Sequence, residues 1–533
     1  MRKNLLASTC LFAVLSTPAV AETSIGTATT TPVQTSTVKS GAADDVKVTS
    51  AGSIKPTAGT AVTLDSNNKV TNEGTIAIAN ANGATGIFAQ PGFAGGITNA
   101  TSGKIIIDEP YSPSDIDNDG DLDGPFAIGS GRTGIATGGA FTGNIANAGT
   151  ITIEGNDSAG IKLGGSLSGN LTHDGTTTVL GDRALGVRLR DVTGNVRLAG
   201  TISAAGVDAM AARLSGNIDG ALVIQGTLSA TGYRYSTPPS DTSKLDADDL
   251  LIGGPAVSVE GNVAGGIILA IPPKDASATD NDEDKDGIED SKEGSANVRS
   301  FGTAPAIRIG ATGRDIAIGA VAGTGTGLGL IIDGAVTGNG LYAGKSATGL
   351  QVGGLGGGVT IAGGLGVSGS VSAISNGASA TAVEIGSGAT VPEIRIAGKV
   401  EASGGGTTGA VTSAIRVDQG ADVSIIRNSG SIIAKASGDA GTAIAIGDTS
   451  GTVATIENSG SISASGALAT SNRNIAIDLS ARDDGATVRQ TVVASGIKAP
   501  AISGDVRFGN GNDMFDIADG TMKGNTSFGN GAN

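Results

Sequence analysis

Asn147-Ala148-Gly149-Thr150-Ile151-Thr152-Ile153 sets a glycine-marked turn directly against a short strand of alternating Thr and Ile. The arrangement returns at Asn72-Glu73-Gly74 before Thr75-Ile76-Ala77-Ile78, at Asn428-Ser429-Gly430 before Ser431-Ile432-Ile433, and at Asn458-Ser459-Gly460 before Ser461-Ile462-Ser463. Degenerate copies sit at Asp174-Gly175, Ala199-Gly200-Thr201-Ile202 and Gln225-Gly226-Thr227-Leu228. Glycines 149, 175, 200 and 226 are 26, 25 and 26 residues apart; 398, 430 and 460 are 32 and 30 apart. A near-constant period of this size marks a repeat architecture, whose single unit cannot bury its apolar face without a stacked neighbour. The unit reads as one coil of an all-β fold, an elongated parallel β-helix (β-solenoid).

Composition agrees. Of 533 residues 89 are Gly and only 2% aromatic, with no Trp, so the 39% hydrophobic content is mostly aliphatic. Thin stacked ladders take small and β-branched residues rather than large rings. Disorder would also use much Gly, but proline is low at 15 and alternation persists.

Residues 1–21 read as a secretory signal: Arg2-Lys3, an apolar stretch from Leu5 to Leu15, and Ala19-Val20-Ala21 as the cleavage site. The stretch is too short for a membrane anchor. Cys10 lies inside it, so the processed chain is expected to be cysteine-free and to owe nothing to disulfides. Removing Arg2 and Lys3 from the 34 basic residues leaves 32 against 50 acidic, a net of −18. That balance opposes nucleic acid and direct insertion in anionic membrane, and suits divalent cations. A single His, His173, excludes a His-based metal or catalytic cluster.

Residues 22–70 are Thr-, Ser- and Ala-rich and read as an irregular lead-in with a first capping coil; the β-helix is expected over 71–500. Its internal order is a G-[IV]-x-[LV] strand, a G-N-[ILV] strand, the turn glycine, then the T-I strand. Gly160-Ile161-Lys162-Leu163 and Gly186-Val187-Arg188-Leu189 fill the first slot; Gly169-Asn170-Leu171, Gly194-Asn195-Val196 and Gly216-Asn217-Ile218 fill the second. Three strands per coil and about 15 to 18 coils predict a rod roughly 70–90 Å long. Insertions near 108–126, 232–254 and 272–298 break the period, and each returns to a strand at Pro125-Phe126-Ala127-Ile128, Pro255-Ala256-Val257 or Pro305-Ala306-Ile307. Insertions in a repeat array map to loops, often on a binding face. Tyr111, Tyr233 and Tyr235 lie there, either for recognition or packed down as pins.

The third insertion matches the calcium-loop pattern D-x-[DN]-x-[DN]-G-x5-E. Side-chain oxygens would come from Asp282, Asp284 and Asp286, with the Ile288 carbonyl, Asp290 and a bidentate Glu293 completing the shell around Ca2+. With Glu289 at the usually apolar eighth position, it resembles the helix-poor calcium loops of dockerin-like and thrombospondin-type-3 repeats. The first insertion echoes it through Asp115, Asp117, Asp119, Asp121 and Asp123, with Phe126 where the bidentate ligand belongs. The alternative for both is a solvated acidic loop. Phe508-Gly509-Asn510-Gly511-Asn512-Asp513 and Phe528-Gly529-Asn530-Gly531-Ala532-Asn533 are similar to calcium-roll repeats but lack the nine-residue period, so residues 501–533 read as two more coils, broken off by truncation. Asn339 to Ser346 lacks the leading glycine of a phosphate loop, and Gly353 to Gly358 has no βαβ context. No nucleophile motif appears.

The signal, the cysteine-free Gly-rich solenoid, the N-[SAE]-G-[TS]-I turns and the F-G-N-G-N-D coils together resemble autotransporter passenger domains of Gram-negative bacteria. The resemblance implies export and display at the cell surface or outer membrane through a C-terminal β-barrel, of which no strands precede Asn533. The expected function is a non-enzymatic surface or secreted adhesin-like scaffold with calcium-binding loops, facing an unidentified ligand on a host or neighbouring cell. Two rivals stand beside it. A β-helix polysaccharide-processing enzyme predicts carboxylates clustered on one face above an open groove. A self-associating surface-layer or matrix protein predicts calcium-dependent polymers.

Overall fold

The computed structural model describes residues 22–116, 122–239, 241–277, 279–283 and 288–533, and among these it contains no α-helix. The expected signal falls outside them. The chain winds through three long columns of parallel strands, and a short corner column of three strands, Ile316–Ile318, Val359–Ile361 and Ala389–Thr390, stands beside them. One is a sixteen-stranded sheet containing the G-[IV]-x-[LV] strands, which we call the first face. The second and third faces merge into a 31-stranded sheet because two long strands, Val196–Ala205 and Leu222–Thr231, run through both. With strands ~4.8 Å apart, sixteen rungs make a parallel β-helix about 72 Å long.

Ile161 pairs with Val187 on the first face, Leu171 with Val196 on the second, and Thr150 with Thr176 on the third, so the three-slot order holds. One copy was out of place. Ile218 bridges Val192 and Val263, whereas Val196 pairs with Leu222. Gly216-Asn217-Ile218 thus occupies the corner before the second face, and its asparagine caps differently. Asn170 Oδ1 accepts from Asn195 N–H at 2.8 Å, but Asn217 Oδ1 accepts from Asn262 N–H at 3.1 Å, one corner earlier. Paired rungs also reach further back than the lead-in reading, since Thr23–Ile25 already pairs with Val46–Val48. The short alternation Val46-Lys47-Val48 is enough because every rung inherits its register from the next.

The interior is built of columns in which each residue meets its own kind. Ile76, Ile105 and Ile151 stack on the third face, and Ile432, Ile462 and Ile502 continue the column at the far end; all are buried. Each such side chain contributes roughly 1.5–3 kcal/mol by burial.

The asparagine of the N-x-G turn does more than start a turn. It points inward at the end of the second face. Asn72 Nδ2 donates to Asn99 Oδ1 at 2.8 Å, and Asn99 Nδ2 to Asn147 Oδ1 at 2.7 Å. Asn428 and Asn458 repeat the contact at 2.8 Å. Each oxygen can also accept from the glycine N–H two residues on, as Asn72 does from Gly74 at 3.3 Å. An amide both donates and accepts, so it can stack on itself without leaving a buried polar atom unsatisfied. The later ladder ends on Gln490, whose Oε1 takes the Asn458 proton at 3.3 Å. The earlier one ends on His173, which turns away to Thr177 Oγ1 at 2.7 Å and the Ala199 carbonyl at 3.3 Å, and Asn147 Nδ2 is left without an acceptor.

His173 is fully buried, and burial holds its imidazole below the usual pKa despite the Ala199 carbonyl. The unfolded chain therefore binds this proton more readily. Stability that is present above about pH 6.5 is lost as pH falls toward the lower folded value. His173→Asn would extend the amide ladder by one rung and remove the titration. Urea unfolding followed by circular dichroism should show a gain of about 1 kcal/mol at pH 5.5 relative to the parent, shrinking at pH 8.

Candidate metal centre

The first two insertions leave the same corner of the column. Both follow third-face strands, Lys104–Asp108 and Leu222–Thr231, and both precede first-face strands, Thr133–Thr137 and Val257–Val259. The third leaves the second face after Ile267–Leu269 and rejoins the third face at Asn297–Phe301, so it emerges from a different corner.

The first insertion is clamped at its root by a buried ion pair. Arg132 Nη1 lies 2.8 Å from Glu109 Oε2, with the side chains 1% and 4% exposed. Glu109 also accepts from Ile128 N–H at 2.6 Å and Gly129 N–H at 2.7 Å, while Arg132 Nε donates to the Ala81 carbonyl at 3.1 Å. This corrects one expectation. Pro125-Phe126-Ala127-Ile128 is not a strand; the first face resumes only at Thr133–Thr137, because those amides turn onto Glu109 rather than a neighbouring rung. Phe126 instead lies under Arg234 of the second insertion, 4.8 Å from ring centre to guanidinium carbon.

Asp123 pairs with Ser114 across the neck of the first loop and accepts from Ile116 N–H. Asp115 sits beside that neck; Asp117, Asp119 and Asp121 lie outside the described residues. Asp123 meets Asp246 and Asp248 of the second insertion, one carboxylate oxygen from each lying within 4.8 Å of the others. The loops are further joined by Gly124 N–H to Asp248 Oδ2 at 3.0 Å and Arg234 Nη2 to the Gly124 carbonyl at 2.6 Å. A hydrogen bond between their side chains raises the Asp246 pKa and lowers that of Asp248. Ca2+ bonds oxygens at 2.3–2.6 Å in shells of about six to eight, and three converging carboxylates fit part of such a shell.

The sequence reading missed Asp246 and Asp248. Their signal was the short run Asp246-Ala247-Asp248-Asp249, passed over in favour of the tyrosines. Of those, Tyr233 is a pin. It is buried, donates to the Gly340 carbonyl at 3.0 Å, and stands edge-on to Tyr342 at 4.7 Å; burial pushes its hydroxyl pKa up to about 12. Tyr235 is 39% exposed.

In the third insertion Asp284 and Asp286 lie outside the described residues. Asp290 is buried in a short 3-10 turn, Asp290–Lys292, and accepts from Glu283 N–H at 3.3 Å. A side-chain hydrogen bond to Asp290 is the main cause holding Glu283 below its usual value. Glu293 turns into the column wall, 3.3 Å from Arg197 Nη2, and Arg197 Nε also reaches Asp174 at 3.1 Å. An oxygen engaged by a guanidinium is a poorer bidentate ligand than the loop pattern supposes. Among the described residues, Asp282 and Ile288 both precede this turn, and the three-carboxylate convergence belongs to the other two insertions.

No protein-family model matches the chain, and no curated protein or solved structure matches it.

Arg132→Ala leaves Glu109 buried without its cation and should cost about 3–5 kcal/mol in chemical unfolding at pH 7. Burial pushes Glu109 up, but the Ile128 and Gly129 amides and Arg132 outweigh it and hold its carboxyl low. Its contribution is present above about pH 4.3 and is lost as pH falls through the lower folded value. The gap between variant and parent should therefore narrow at pH 3.

Proposed function

We propose that this chain is an exported, non-enzymatic β-helical scaffold of the autotransporter-passenger kind, displayed at the cell surface or released, with an adhesin-like role. Its loops are held in one conformation by calcium. The observation that supports this most directly is the junction of two insertions through Asp123, Asp246 and Asp248 on one corner of a rigid column. A scaffold gains by fixing long loops, because each loop ordered in advance lowers the entropy lost when it binds. The acidic convergence sits between loops at a corner, whereas a polysaccharide-processing enzyme would place paired carboxylates along a face.

Calcium binding is measured by isothermal titration with parent protein and with Asp246→Asn/Asp248→Asn, and loop closure by trypsin cleavage after Lys244. At a calcium concentration ten times Kd, cleavage of the parent should slow roughly tenfold, and the variant should show no calcium response. Affinity should weaken as pH falls into the acid range, because Asp246 takes up a proton more readily than an ordinary aspartate. Absence of any calcium heat, or equal protection in the double variant, sinks the calcium role.

A further inference from the structure

One register position on the first face carries cations on nearly every rung of its middle section. Lys162 pairs with Arg188, Arg188 with Arg213, Arg213 with Ser258, and Ser258 with Arg308. Four cations thus stand within five rungs, a stretch of about 19 Å. Two adjoining clefts of 490 and 360 Å³ lie over this column and share Arg213 as lining.

Like charges directly opposite one another in a sheet repel. Only part of that repulsion is answered by the protein. Glu260 takes Arg213, with Nε at 3.0 Å and Nη2 at 3.1 Å. Arg308 Nη2 has Ser258 Oγ at 3.2 Å, a neutral partner. The Nε atoms of Arg188 and Arg308 are buried with no acceptor among the described residues. Burial holds both guanidinium groups below their ordinary value; Arg190 and Arg213 add to it at Arg188, and Arg213 adds less than Glu260 opposes at Arg308. The net charge of −16 does not cancel the site, because charges beyond about 8–10 Å are screened at physiological salt.

We propose that this groove binds a linear anionic polysaccharide lying along the column axis, its sulfate or carboxylate groups meeting Lys162, Arg188 and Arg308. The clefts are lined by no aromatic ring, their larger apolar members being Leu185, Met210 and Leu355. Single-stranded nucleic acid is usually held by stacking on aromatic rings, which favours a glycan. The proposal supplies a ligand class for the scaffold reading, but its site is separate from the calcium junction.

Binding of a heparin hexasaccharide and of a polygalacturonate oligomer is measured by titration in EGTA at 50 and 200 mM NaCl, beside a dT20 oligonucleotide. At least one glycan should bind, with affinity falling on the order of tenfold between the two salts as about two to three charges are neutralised. Arg188→Gln/Arg308→Gln should lose about tenfold or more, and Arg395→Gln on the second face should lose nothing. In the unaltered protein, the bound glycan should slow phenylglyoxal modification of Arg188 and Arg308, a readout independent of the variant's folding. No glycan binding at 50 mM salt, no protection of either arginine, or tighter binding of dT20 overturns the assignment. Shortening of the bound glycan with time would overturn the non-enzymatic reading and leave the groove assignment standing.

Discussion

Everything in this protein depends on how closely one rung approaches the next at the turn before the third face. A Cβ on Gly430 would stand 2.0 Å from the Gly398 carbonyl oxygen, and one on Gly460 would stand 2.1 Å from that of Gly430. The glycines of this column are needed for space. Gly200, at φ 66°, and Gly520, at φ 79°, are held there by their backbone as well, while Gly149, Gly430 and Gly460 have ordinary φ. The period seen in the sequence is therefore the period of a steric exclusion repeated once per turn of the coil.

Once the corner is fixed, each position stacks on its own equivalent, and the chemistry of self-contact decides what the column tolerates. Isoleucine on isoleucine is favourable. Asparagine on asparagine is complete, because each amide gives and takes one hydrogen bond. Where His173 interrupts the run, the Asn147 amide loses its acceptor, and Thr177 offers a hydroxyl to the imidazole from between Ile151 and Ile202. Arginine on arginine is the one arrangement that cannot be satisfied from within, and it appears on the solvent side of the first face.

Much of this architecture was legible in the sequence, and its gaps have physical reasons. Strand order and the glycine period follow from local patterns, so they survived intact. Asn217 was misplaced because G-N-[ILV] describes a corner cap, and two corners of the coil use the same cap. Phe126-Ala127-Ile128 looked like a strand, but one buried carboxylate, Glu109, captured the amides of Ile128 and Gly129. The inward asparagine was read only as a turn former, since its ladder partner lies 27 or 48 residues away. The basic column escaped for the same reason. Arg308 and the Ser258 it touches are 50 residues apart, and no window along the chain shows them together.

The acidic junction shows where counting rungs adds what patterns cannot. The strands that feed the first two insertions are four rungs apart, through Thr150, Thr176, Thr201 and Thr227, which is about 19 Å along the axis. Loops of this length can close that gap, and Gly124 meeting Asp248 is the result. A link across four rungs resists their sliding or splaying in a way that adjacent-rung hydrogen bonds do not, because in a stacked repeat each unit otherwise touches only its neighbours. The third insertion, leaving another corner, takes no part in that junction through any contact described; it is anchored instead by Glu293 to Arg197. Loop position in a solenoid is thus set by two integers, the corner and the rung, and the chemistry that loops share follows from the two together.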